Sequence, residues 1–182
     1  MTVSPFKWTI SDWHILVESG VLAEKKVELL AGDIVHMNPE GFKHSGTNSN
    51  VADYFRELLR GKAYVREGHP VTLDDSEPEP DIAIVKLPRD VYLQRHPVAE
   101  DIYLLIEVSN RTLTKDLGDK ATIYARNNIT EYWVIDLQNN QVIIHTQPSL
   151  GKYQSIQELR SGVVTPLAFP QIIVNLSRLL LY

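Results

Sequence analysis

DIYLLIEVSNRTLTKDLGDKATIYARNNITEYWVID, residues 101–136, reads as strand, turn, helix, strand. Tyr103, Leu104, Leu105, Ile106 and Val108 surround Glu107 in its first strand. A continuous apolar run of this kind suits a strand buried on both faces. A carboxylate inside such a run needs a cation, because an ionised Glu leaves water only at a cost of several kcal/mol. Two readings follow for Glu107: a buried ion pair (or a frayed strand end), or a metal ligand.

A second acidic signal lies upstream in EPEPDIAIVK, residues 77–86. Pro80 has no N–H for a ladder and fits a strand entry. Asp81 then heads a short strand from Ile82 to Lys86, closed by Pro88. Alternation puts Asp81, Ala83 and Val85 on one face, and Tyr103, Leu105, Glu107 and Ser109 on one face of the later strand. If the two strands are neighbours in suitable register, Asp81 and Glu107 converge. Two carboxylates plus waters suit Mg²⁺, which is held by one or two carboxylates and a substrate phosphate. The helix after Glu107 carries Asp116, Lys120 and Tyr124 at spacings of four. This spacing gives either an ordinary surface Asp–Lys pair worth a few tenths of a kcal/mol, or a Lys120 held above the carboxylates.

The rest of the chain bounds the answer. Its 182 residues suit a single domain, 1–182, with a sizeable core. The absence of cysteine excludes disulfides, thiol catalysis and thiolate zinc sites, and is compatible with the cytoplasm. There is no apolar run of the ~18 residues a membrane span needs, so no membrane partner is expected. The net charge of −5 argues against a strongly electrostatic nucleic-acid binder. The acidic excess all falls in residues 1–80, which leaves room for a local basic surface. Arg56, Arg60, Lys62 and Arg66 cluster, as do Arg111 and Lys115; solvated surface charge explains both groups equally well. The six histidines have no zinc-ligand spacing. No phosphate-binding glycine loop, G-x-S-x-G elbow or H-E-x-x-H occurs. Trp8, Trp13 and Trp133 read as core or interface residues rather than base-stacking platforms.

Working outward, Thr9 or Ser11 caps a helix to about Ser19, which Gly20 closes. Lys26–Leu30 and Ile34–Met37 flank Ala31-Gly32-Asp33 as a hairpin, with Glu28 in its first strand. A helix runs from His44 to about Leu59. Ala63–Arg66 and Pro70–Leu73 read as two strands around Glu67-Gly68-His69. Residues 89–101 loop, 113–126 form the helix, and 131–136, 142–145 and 153–156 are strands. Ile172–Leu181 is an apolar tail. This order predicts an α/β or α+β layer, a mixed sheet flanked by helices.

Pro80-Asp81, then Glu107-Val108-Ser109, then Lys120 on the next helix resembles the PD-(D/E)XK nuclease superfamily. In particular the chain is similar to the Uma-type endonuclease-like family, through Val27–Val35, His44, Glu79–Ala83, Ile106–Ser109, Asp116, Lys120, Tyr124 and Glu131–Asp136. The resemblance implies a restriction-endonuclease-like αβββαβ core behind an N-terminal helix and β-hairpin. It also implies Mg²⁺, with Mn²⁺ as a second candidate, held by Asp81, Glu107 and the Val108 backbone carbonyl. Ser109 stands where the superfamily's usual lysine falls, which directs that role to Lys120. Glu28, His44, Ser109 and Asp116 border the expected site.

The leading expectation is therefore a metal-dependent endonuclease, a phosphodiester hydrolase acting on nucleic acid, with DNA favoured through the family. The alternative is a non-catalytic nucleic-acid-binding or interaction protein that keeps the fold. A third reading is a structural homo-oligomer joined through Ile172–Leu181. A homodimer is also compatible with cleavage of duplex DNA.

Overall fold

The computed structural model describes residues 4–180. Helix α1 (Ile10–Glu18) starts at a capping box in which Thr9 and Asp12 satisfy each other's amides. The hairpin follows as β1 (Val27–Leu30) and β2 (Asp33–His36). Its turn needs left-handed backbone at Ala31 and Gly32, with φ of 48° and 76°. A Cβ at residue 32 would also meet the Lys7 side chain at 2.9 Å, so glycine is required there on two grounds.

Helix α2 (Phe42–Leu58) leads into β3 (Tyr64–Glu67), β4 (Ile82–Val85) and β5 (Ile102–Ser109). Next, α3 (Leu113–Lys115), a π-helical segment (Asp116–Lys120) and α4 (Ala121–Arg126) run on as one helix, 113–126. Then come β6 (Glu131–Asp136), β7 (Gln141–Ser149), β8 (Lys152–Leu159) and the short pair β9 (Val163–Val164) and β10 (Val174–Asn175). Strands β3 to β8 form a six-stranded sheet in sequence order. It is antiparallel except for the β5–β6 pair, which is parallel because the helix 113–126 crosses between those strands. The run α2-β3-β4-β5-helix-β6 is the expected αβββαβ order inside a mixed sheet flanked by helices.

Each sheet face has its own core. On one, Val51, Phe55 and Leu59 of α2 pack on Ile82, Ile84, Leu104, Ile106, Trp133 and Ile135. On the other, Ala121, Tyr124 and Ala125 of α4 cover Ala83, Leu105, Tyr132 and Val134. Strands β4, β5 and β6 thus bury both faces, which is why they read as unbroken apolar runs.

Three expectations need correction. Tyr103 does not share a face with Leu105 and Glu107. The β4–β5 register slips between Ile84↔Leu104 and Val85↔Ile102, and the resulting bulge turns Tyr103 onto the opposite core, edge-on to Phe169 at 5.0 Å. Residues 70–73 are not a strand. Pro70 has no N–H to give a ladder, and the amides of Val71 and Leu73 bond locally to the carbonyls of Pro78 and Ser76. Strand β3 takes β4 as its partner instead. Finally, the apolar tail packs at home: Val174, Leu176 and Leu179 are buried in the core beneath α2. This takes Val174, Leu176 and Leu179 out of the apolar surface on which the structural homo-oligomer rested, while Ile173 stays exposed; Leu181 lies outside the described residues. Among the described residues no helix is long and apolar enough to cross a membrane.

His145 on β7 offers a test of this packing. Burial against Tyr132 and Tyr153 lowers its pKa, which its bonds to backbone carbonyls only partly offset. The unfolded chain therefore takes up a proton near pH 6.5 that the folded chain refuses, and folding stability falls as pH drops through that value. The acid-side loss should be smaller in His145→Asn than in the wild type, measured as urea midpoints at pH 7.5 and 5. Equal losses would mean that His145 accepts its proton in the folded state.

Candidate active site

In the β4–β5 register Ile82 faces Ile106, so Asp81, one step earlier, falls beside Glu107 at the end of that strand pair. Both lie on the face covered by the helix 113–126. Asp81 Oδ2 accepts the Val108 amide at 2.6 Å and lies 3.1 Å from His44 Nε2 at the start of α2. The part of the Val108 backbone that meets Asp81 here is thus its amide. Glu107 is only 4% exposed; its Oε1 accepts from Lys120 Nζ at 2.7 Å and from the Tyr124 hydroxyl at 2.9 Å.

The hairpin closes the site from above. Glu28 Oε1 accepts from Lys115 Nζ at 2.5 Å, and its Oε2 accepts the Glu79 amide and lies 3.8 Å from Lys120 Nζ. Asp116 Oδ2 accepts from the Thr112 hydroxyl at 2.6 Å, which in turn meets Ser109 Oγ at 3.3 Å. All seven residues picked from the sequence therefore gather at one end of β4 and β5.

The helix reaches them through its π-helical segment. There the Ala121 amide bonds back to the Asp116 carbonyl, one residue further than in an α-helix. Asp116, Lys120 and Tyr124, spaced four apart along this stretch, all lie inside, at 3%, 5% and 0% exposure. π-Bulges of this kind occur frequently at functional sites.

The site is short of positive charge. Glu28, Asp81, Glu107 and Asp116 face the two ammonium groups of Lys115 and Lys120. Burial pushes the Glu107 carboxyl up to about 8, and the nearby Asp81 and Asp116 charges add to the rise, while Lys120 opposes it. Burial also raises Asp116 and Glu79. For Lys120, burial alone would favour the neutral amine; Glu107, Glu28 and Asp116 outweigh it and hold the ammonium charged. Burial likewise works against a charged His44, and the Asp81, Glu40 and Glu107 carboxylates reverse that too.

Sequence reasoning missed several members. Tyr124 was placed on the right helix face without its bond to Glu107. Lys115 carried no local signal, because its partner Glu28 lies 87 residues away. Glu40 sits one helical turn before His44, with its Oε2 3.6 Å from His44 Nδ1. Among the described residues, Glu40, His44 and Asp81 form the group of three metal-capable side chains whose ligand atoms lie within 4.8 Å of one another. Glu107 stands outside that group.

The Glu107–Lys120 pair can be weighed directly. Removing one partner of a buried ion pair leaves an uncompensated charge and costs about 3–5 kcal/mol. Lys120→Met should destabilise the fold by that order in urea titrations. The double variant Glu107→Gln/Lys120→Met should regain a large part of the loss. A single variant as stable as the wild type would show that the pair does not bear on folding.

A model of the Uma2 family, described as "Putative restriction endonuclease", matches residues 16–177. Among solved structures, one described as a "putative nuclease belonging to DUF820" from Anabaena variabilis is similar, with a TM-score of 0.66. It is 18% identical, over 86% of this chain and 90% of that one, so the likeness bears on fold alone. The comparison with curated proteins finds no match. With nearly its whole length matched by the family model, this chain belongs to the Uma2 family.

Proposed function

We propose that the protein is a divalent-metal-dependent nuclease that hydrolyses phosphodiester bonds in DNA. The observation that carries this reading is the excess of carboxylate over ammonium around Asp81, Glu107 and Lys120, in a chain of a restriction-endonuclease-like family. A divalent cation would offset the excess of the Glu28, Asp81, Glu107 and Asp116 carboxylates over the Lys115 and Lys120 ammonium groups. The donors are hard oxygens, the chemistry of Mg²⁺ and Mn²⁺.

Asp81 and Glu107 would hold the ion, with the Val108 carbonyl as a third oxygen. When bound, such an ion polarises the scissile phosphate and lowers the pKa of a water. Everything else falls to the chain. Lys120 and Tyr124 both donate to Glu107 Oε1, so neither needs its Oε2. Tyr124 stays a donor because burial and the adjacent Glu107 hold its hydroxyl protonated. Glu28, fixed by Lys115 and the Glu79 amide, helps keep Lys120 charged. A permanently charged ammonium there would stabilise negative charge developing on the phosphate. His44 and the Val108 amide orient Asp81. A homodimer would carry two such centres.

A second reading, a nucleic-acid-binding or interaction protein without catalysis, draws on one feature. Lys120 already satisfies Glu107 at 2.7 Å, and the close trio of metal-capable groups is Glu40, His44 and Asp81. That reading expects binding without turnover.

Calorimetric titration with Mg²⁺ and Mn²⁺, alongside cleavage of single- and double-stranded DNA, separates the two. Wild type should bind the ion and cleave; Glu107→Gln and Asp81→Asn should lose both. Lys120→Met should retain ion binding and cleave about 10²–10³-fold more slowly. Normal cleavage by a folded Glu107→Gln variant would refute the assignment.

A further inference from the structure

A cleft of about 940 Å³ opens beside the candidate active site. Its walls are the segment before and into α2, including Glu40, Phe42 and His44, the turn Asn110–Thr112 after β5, and Gln138. Two wall residues touch the site itself: His44 contacts Asp81, and the Thr112 hydroxyl donates to Asp116. The cleft therefore borders the site next to Asp81 and Asp116.

The wall chemistry is specific. Phe42 is 84% exposed in the first turn of α2, so its ring presents a bare face. Arg111 is exposed across the cleft and has no ion pair with any described residue. Asn110 and Gln138 add polar groups at the same mouth. An aromatic face interleaved with a guanidinium and amides is the chemistry of base stacking with phosphate contact. The one wall carboxylate, Glu40, is turned to His44 at 3.6 Å.

Charge then favours one form of nucleic acid. Duplex binders draw affinity from many phosphate contacts. A chain of net charge −5 has few to offer, whereas stacking on an aromatic ring needs no charge. Deepening the nuclease reading above, we propose that this cleft seats an unpaired nucleic-acid strand, with Phe42 stacking on a base and Arg111 binding a phosphate next to Asp81.

The test is fluorescence anisotropy in EDTA with a labelled thymidylate oligomer of about twelve residues, a matching abasic oligomer and a duplex of the same length. Wild type should bind the thymidylate oligomer about tenfold more tightly than the abasic one, and more tightly than the duplex. Phe42→Ala should erase the thymidylate-over-abasic preference, and Phe42→Trp should keep it. Arg111→Ala should weaken binding to both oligomers and reduce the slope of log K against log salt by about 1. Phe42 and Arg111 are exposed, so both variants should melt as the wild type does. The proposal is overturned if Phe42→Ala binds like the wild type, if the duplex is preferred, or if no oligomer binds. Cleavage in Mg²⁺ that depends on Glu107 but not on Phe42 would sink the strand seat and leave the nuclease standing. Phe42-dependent binding with no Mg²⁺-dependent cleavage would keep the seat and remove the nuclease.

Discussion

Glu107 meets Lys120 at 2.7 Å in a place where neither charge could stand alone. Glu107 comes from the middle of the sheet and Lys120 from the helix laid across it, and both are almost wholly buried. Each ion separately would cost several kcal/mol to remove from water, and their mutual attraction offsets this only with good geometry and further hydrogen bonds. Those further bonds set the rest of the local structure. Tyr124 completes Glu107, Glu28 approaches Lys120 from the hairpin, and Lys115 and the Glu79 amide complete Glu28. Sheet, crossover helix and hairpin are thereby locked together by polar groups that are mostly buried, Lys115 being partly exposed.

Two irregularities lie in these elements. Along the π-helical segment Asp116 and Lys120 both face inward, and the Tyr132 hydroxyl satisfies the Asp116 carbonyl from the sheet. The bulge at Tyr103 locally breaks the β4–β5 ladder. Below it, the pairing of Ile82 with Ile106 still carries Asp81 to Glu107. Bulges of this sort re-aim side chains next to active sites.

Much of this was legible in the sequence, for identifiable reasons. Strands β4, β5 and β6 announce themselves as unbroken apolar runs, because both of their faces are covered. The acid inside one run is conspicuous for the same reason. The hairpin declares its turn through Ala31-Gly32-Asp33, and Thr9 marks the start of α1. What misled was apolar pattern without a ladder. Val71 and Leu73 are buried like strand residues, yet their amides bond within a local turn. The tail at 172–180 is apolar because it covers the protein's own core, and hydrophobicity alone cannot say which surface it will meet.

By itself the sequence determined the order of the elements, the two-sided burial of the central strands, and which carboxylates stand in surroundings that require a cation. These follow from short-range periodicity and from the cost of burying charge, both written in neighbouring residues. Only the tertiary structure decided which cation answers which acid. Lys115 meets Glu28 across 87 residues, Glu40 and His44 meet Asp81 at the start of β4, and Phe42 and Arg111 come to flank one cleft. Such pairings depend on strand register and on where each helix and loop crosses the sheet. Each shifts a side chain by a full face or turn while leaving the local pattern of residues unchanged.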